Sequence, residues 1–216
     1  MSGGQTITSA QLADRVAEVR ARIALAARAA GRVPSGIVLC AACKAQDSET
    51  IRLSAALEID VFGENRVQEM AEHLRAGAYA GKPCHFIGKL QTNKVRHIVG
   101  AASLIQSVDS PRLAAAIEAE AGKRGVVQDV LLEVNLGGEA SKAGATPEDL
   151  RMLADAAAAC PPVRVRGLMA IPPAGGSPDE AKRYFARLRG LLEELRQWFP
   201  EYSMLDTLSM GMSEDY

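Results

Sequence analysis

Aromatic residues are scarce in this 216-residue chain, where Phe, Tyr and Trp together make up 4%. That excludes the stacking platforms on which single-stranded nucleic acids are held. Charge of one sign is missing as well: 25 Lys and Arg against 26 Asp and Glu give a formal net charge of -1. A nucleic-acid binder would show a basic face. No apolar run approaches the roughly 20 residues that span a bilayer. The start, Met1-Ser-Gly-Gly-Gln-Thr-Ile-Thr8, lacks the charged-then-apolar order of a secretory signal. These absences describe a soluble globular protein of the cytoplasm, with neither nucleic acid nor membrane as partner. Cysteines are few: Cys40, Cys43, Cys84 and Cys160. Cys40 and Cys43 have C-x-x-C spacing, but both fall in a predicted strand, where residues three apart point to opposite faces. Free thiols are expected. No carboxylate pair or His/Cys cluster has metal-ligand spacing, so no metal site is expected.

What the chain does have is a regular alternation of helix and strand signals. Thr8-x-x-Gln11 is a capping box opening a helix with Leu12, Val16, Val19, Ile23 and Ala26 on one stripe, ended by Gly31. A strand is predicted over 37–44, a helix over 48–57, a strand over 60–64 and a helix over 66–76. Strand 84–88 leads to a short helix near 92–99, and strand 104–109 to a helix from Ser110-Pro111 to Lys123. Strand 130–135 precedes a glycine-rich loop and a cap-plus-proline start at Thr146-Pro147. Strand 163–171 precedes Ser177-Pro-Asp-Glu180, whose helix reaches Trp198, and a seventh strand covers 205–211. Strands separated by helices imply parallel β/α units. A doubly wound sheet would accommodate seven strands, but no G-x-G-x-x-G follows the first of them, so a (β/α)8 barrel read as a single domain over 1–216 is preferred.

In such folds chemistry gathers at the carboxyl ends of the strands. Lys44 ends the run Ile37-Val-Leu-Cys-Ala-Ala-Cys-Lys44. A partly desolvated lysine there can attack an aldehyde, although one that snorkels to water fits the segment equally well. Gly63-Glu64-Asn65, His85, Gly88, Asn135 and Ser209-Met-Gly-Met-Ser213 collect at other strand ends. The last offers hydroxyls and backbone N–H groups for an anion, or it is a plain glycine turn. In a barrel the first and seventh strands are separated by the eighth alone. An aldehyde bearing a phosphate, such as pyridoxal 5'-phosphate, would satisfy both ends. The alternation does not settle whether His85 faces the interior. His73 and His97, in helical stretches, are expected at the surface, and Lys89, Lys94, Arg96 and His97 read as a solvated basic patch.

Several stretches carry a family resemblance: Ala42-Cys-Lys44, Phe62-Gly-Glu-Asn-Arg-Val-Gln-Glu69, His85-Phe-Ile-Gly-Lys-Leu-Gln-Thr-Asn-Lys94, Ser107-Val-Asp109, Val134-Asn135 with Glu139-Ala-Ser-Lys142-Ala-Gly144, Arg166-Gly-Leu-Met-Ala-Ile171 and Leu208-Ser-Met-Gly-Met-Ser213. Together they resemble the pyridoxal-phosphate homeostasis protein family, whose barrel is of the alanine racemase N-terminal type. The resemblance implies a non-catalytic protein that buffers pyridoxal 5'-phosphate and delivers it to apo-enzymes, held as a Schiff base on Lys44. It implies that Asn65 and His85 line the pocket, and that Ser209, Met210, Gly211 and Ser213 surround the cofactor and its phosphate. No catalytic residues are expected, and the chain is expected to be a monomer. Lys142 is a candidate for a secondary, transient cofactor contact.

Two departures stand out. Gln46 occupies the place where the family usually has a second lysine. The family also continues past the Ser-Met-Gly-Met-Ser loop with a helix and an eighth strand, whereas the sequence stops at Tyr216. The barrel is therefore expected to lack its eighth strand, leaving open edges on strands one and seven, and the chain to be shortened relative to the functional protein. A racemase using the same cofactor is the alternative. It needs a second acid/base on the opposite face of the substrate, supplied in alanine racemase by a second domain and a partner subunit. A Schiff-base lyase would need an acid or base beside Lys44, for which Glu64 is the obvious candidate.

Overall fold

Helix α1, Ser9–Ala29, opens on the expected capping box: Gln11 N–H donates to Thr8 Oγ1 at 3.2 Å and Thr8 N–H to Gln11 Oε1 at 2.9 Å. It closes where Gly31 takes a φ of +67° and Arg32 N–H reaches back to Ala27 O at 2.8 Å. Leu12, Val16, Val19 and Ile23 are half-buried, but the stripe ends on buried Ala27 while Ala26 is exposed. The computed structural model describes residues 8–138, 143–173, 177–200 and 204–212. Two compact units emerge from it, Met1–Cys84 and His85–Tyr216.

The first unit carries β1 (Cys40–Ala42), α2 (Ser48–Ser54), β2 (Val61–Glu64), α3 (Val67–Arg75) and the first residue of β3 (Cys84–Phe86). β1 pairs β2 in parallel from Cys40↔Val61 to Ala42↔Gly63, and Cys43 N–H extends the ladder to Gly63 O at 2.8 Å. The strand is shorter than the predicted 37–44. Pro34–Gly36 forms a 3-10 turn, and Leu39 N–H is taken by the Asp60 carboxylate at 2.6 Å, which also pairs with Arg20 at 2.6 Å. The first half of the apolar run thus forms an ion-paired corner rather than a ladder.

The second unit holds the rest of β3, then β4 (Leu104–Val108), α4 (Pro111–Arg124), β5 (Gln128–Glu133), α5 (Leu150–Ala158), β6 (Val163–Met169), α6 (Pro178–Trp198) and β7 (Thr207–Ser209). Neighbouring strands from β3 to β7 pair in parallel in chain order. Leu104, Leu131 and Met169 form a buried cluster on one face of this sheet. On the other layer α4 buries Leu113, Ala114, Ile117 and Ala121 at helical spacing. Ser110 and Ser177 cap α4 and α6 as expected. Thr146 also caps a turn, accepting Asp149 N–H at 3.1 Å, but regular helix begins only at Leu150. The preceding Ala145 is held in a bridge to Val134, which keeps the chain extended up to that point.

At β6 the register jumps. Val130 faces Val165 and Leu131 faces Gly167, so Arg166 is an extra, bulged residue. Its guanidinium bonds Asp129 Oδ2 and Asp206 Oδ1, each at 3.2 Å, joining β5 to the residue before β7. Gly167 has a φ of +150°, and a Cβ there would lie 1.9 Å from Thr207 O. Only glycine lets β7 approach β6 this closely. Among the described residues no helix is long and apolar enough to cross a membrane.

Candidate ligand site

In the first unit Lys44 stands two residues beyond β1, exposed, as is Ala42 on the same face of the strand. Between them Cys43 is buried on the opposite face. Ala45 at φ +60° then turns the chain, a left-handed conformation uncommon for a residue with a side chain. Asp47 receives Thr50 N–H at 2.7 Å to start α2, a bond that holds its carboxyl below the usual range. Asn65 is half-buried directly after β2.

Glu64, the last residue of β2, is fully buried. Its Oε1 accepts the Tyr79 hydroxyl at 2.8 Å and lies 2.7 Å from His73 Nδ1. His73 is therefore an inside residue, 3% exposed, and not the surface histidine its helical position suggested. A carboxylate buried at a strand end requires donors, and α3 turns His73 inward to supply one. Burial raises the Tyr79 phenol, so it remains an O–H donor. The Cys43 thiol, against the same carboxylate, is raised by burial first and then by the Glu64 charge, and burial pushes Cys84 up to about 12. These thiols stay protonated and are poor nucleophiles. Glu64 is held by His73 and Tyr79 in a buried cluster, not presented beside Lys44 as an acid or base. His97 is exposed, as expected.

The second unit contributes a polar chain that crosses its interior. Ser209 Oγ donates to Gln106 Oε1 at 2.6 Å, and Gln106 Nε2 lies 2.8 Å from His85 Nδ1. With the amide N–H₂ facing Nδ1, that nitrogen accepts and the ring proton sits on Nε2. Burial lowers His85 to about 4, so the imidazole is neutral at pH 7. His85 thus faces Gln106, whose other end holds Ser209, the orientation that alternation left open. Gln106 was missed in the sequence; its signal is a lone amide in the apolar strand Leu104-Ile-Gln-Ser-Val108. Glu133, buried at the end of β5, is raised to about 7 by burial first and by Asp109 second, against an opposing pull from Lys89.

Met210 and Gly211 follow β7, both exposed, with Gly211 at φ +95°. Ser213 and Lys142 lie outside the described residues.

The alanine racemase N-terminal domain family matches residues 14–216. The pyridoxal phosphate homeostasis protein of Aquifex aeolicus is 43% identical over 204 residues, covering 94% of this chain and 88% of its own. The chain belongs to the pyridoxal phosphate homeostasis protein family. The family's member from Pseudomonas aeruginosa is 40% identical, covering 94% of this chain and 86% of its own. Among solved structures, PipY of Synechococcus elongatus with pyridoxal phosphate bound aligns at a TM-score of 0.81 and 35% identity, over 95% of this chain and 91% of its own. A Bifidobacterium adolescentis protein aligns at 0.88 and 32% identity, over 98% and 91%. Alanine racemase of Clostridium difficile, at 0.63 and 16% identity over 82% of this chain and 46% of its own, shares the fold alone. The fold of this pyridoxal phosphate homeostasis family member is accordingly the α/β barrel type of the alanine racemase N-terminal domain, as the sequence implied.

Proposed function

We propose that this chain binds pyridoxal 5'-phosphate, buffers it and delivers it to apo-enzymes in the cytoplasm, as a monomeric single domain over 1–216 without turnover of its own. The observation that carries this reading is the exposed Lys44 two residues beyond β1, in a chain 35% identical to PipY, whose structure was solved with pyridoxal phosphate bound. The ligand supplies an aldehyde that a primary amine captures reversibly. Lys44 Nζ is the attaching atom, and its exposure leaves the amine open to such a partner. By the family resemblance, Asn65 and His85 are further residues assigned to the ligand. Ser209, Met210, Gly211 and Ser213 surround the cofactor and its phosphate. The residues present suit an anionic ligand, since Gly211 adopts the positive φ that lets successive N–H groups converge on an anion. Lys142 makes a transient second contact during delivery.

Absence of turnover has support in the side chains. Glu64 is held in a buried hydrogen-bonded cluster, the Tyr79 phenol is held protonated, and His85 is a neutral ring tied to Gln106. One observation favours the racemase alternative instead: Glu133, with its proton held up to about 7, could give and take a proton near neutrality.

The deciding experiment is borohydride reduction of the loaded protein with peptide mapping, alongside amino-acid racemase and lyase assays at saturating cofactor. We expect the label on Lys44, its loss together with the visible absorbance band in Lys44→Ala, and no turnover. A label on another side chain would overturn the reading, as would turnover on the order of 1 per second or faster.

A further inference from the structure

We propose that Gln106 is a positioning residue, setting through one side-chain amide the orientation of both His85 and Ser209. The inference rests on the ligand-binding reading for its purpose, but not for its geometry. Gln106 lies on β4, between β3 and the strands that lead to β7, and joins residues 21 and 103 positions away in the chain. At 5% exposure its amide has little access to water, so each end must find a protein partner.

The amide is rigid, with an acceptor at one end and donors at the other. The two contacts are consequently not independent. Oε1 at Ser209 makes the hydroxyl donate sideways into the interior. Nε2 at His85 makes Nδ1 accept, which places the ring proton on Nε2. Two consequences follow for a ligand. His85 presents a neutral N–H donor rather than a lone pair or a cation. Ser209 has its proton committed to Gln106 and can offer another group only its lone pairs. A phosphate oxygen therefore receives no proton from the Ser209 hydroxyl, and donors from this stretch are left to the groups that follow it, among them the backbone where Gly211 turns the chain. A mere strand-to-strand tie would hold equally well with the amide reversed. For positioning, the direction of the amide matters.

The first measurement uses the unaltered protein without ligand. Nitrogen-15 spectra of the His85 ring at pH 7 should show a protonated Nε2 and a bare Nδ1; a proton on Nδ1 would overturn the proposal. Gln106→Glu replaces the donor end by an acceptor and should move the ring proton to Nδ1. In Gln106→Leu neither partner is served, and release of pyridoxal phosphate to an excess of apo-enzyme should quicken about ten-fold, as expected for a lost buried hydrogen bond. The borohydride label should remain on Lys44. Release within two-fold of the unaltered protein, with an unchanged ring spectrum in Gln106→Glu, would sink the idea. If the unaltered protein takes up no ligand, the ligand-binding reading fails, while the His85 spectrum still decides the part played by Gln106.

Discussion

At the end of β5 the Glu133 carboxyl is 7% exposed and shares its surroundings with Asp109, and its proton is held up to about 7 against an ordinary value of 4.5. As pH rises from 4.5, the unfolded chain releases this proton first while the folded chain keeps it. The contribution of Glu133 to stability is therefore complete below 4.5 and lost as pH climbs through 7. His85 works in the other direction. Its ring is lowered from 6.5 to about 4 by burial, so the unfolded chain gains a proton first as pH falls through that window. Its contribution is complete above 6.5 and lost on acidification. Glu133→Gln separates the two effects. We expect the variant to gain on the unaltered protein by about 1–3 kcal/mol between pH 4.5 and pH 7, read from urea midpoints. An equal difference at both pH values would show that the carboxyl is not held protonated in the fold.

The elements themselves were largely legible because apolar runs of strand length alternate with capped helices. Ser110-Pro111 and Ser177-Pro-Asp-Glu180 set their helices to the residue. Where pattern and structure part, a distant side chain is the cause. Ile37 and Val38 have strand chemistry, yet the Asp60 carboxylate competes for Leu39 N–H, and a side chain 21 residues away is invisible to local pattern. His73 has a surface position in its helix, but it is drawn inward by a buried acid nine residues earlier. The bulge at Arg166 was also beyond reach, since a register jump depends on both neighbouring strands. Its consequence can be measured. Gly167→Ala should clash with Thr207 O and release β7 from β6, at a cost of about 3 kcal/mol or more. Hydrogen exchange should then quicken across Thr207–Ser209 before any loss around β4 and β5. Unchanged protection there would mean that the close approach of the two strands is not needed.

For the molecule as a whole, the class of fold and the ligand chemistry came from motifs spread along nearly the entire chain, and relatives at 40–43% identity carry the same family name. Lys44 stood out as a cation ending an apolar run, but the segment suits a snorkelling lysine equally well, and its proposed role came from the family resemblance. The amide of Gln106 was not readable: its meaning depends on a serine 103 positions later. None of the four cysteines forms a disulfide; three are buried and Cys40 is half-buried. Burial holds Cys40 and Cys84 at about 12 and Cys160 at about 11, with Cys43 raised as well. Iodoacetamide should therefore leave the native chain almost untouched at pH 8, and modification should proceed only as fast as local opening permits. Three of these sulfurs belong to Met1–Cys84 and one to His85–Tyr216. The chain thus carries a built-in stopwatch for each half, readable by mass. Identical labelling rates in both would mean that the halves come apart only together.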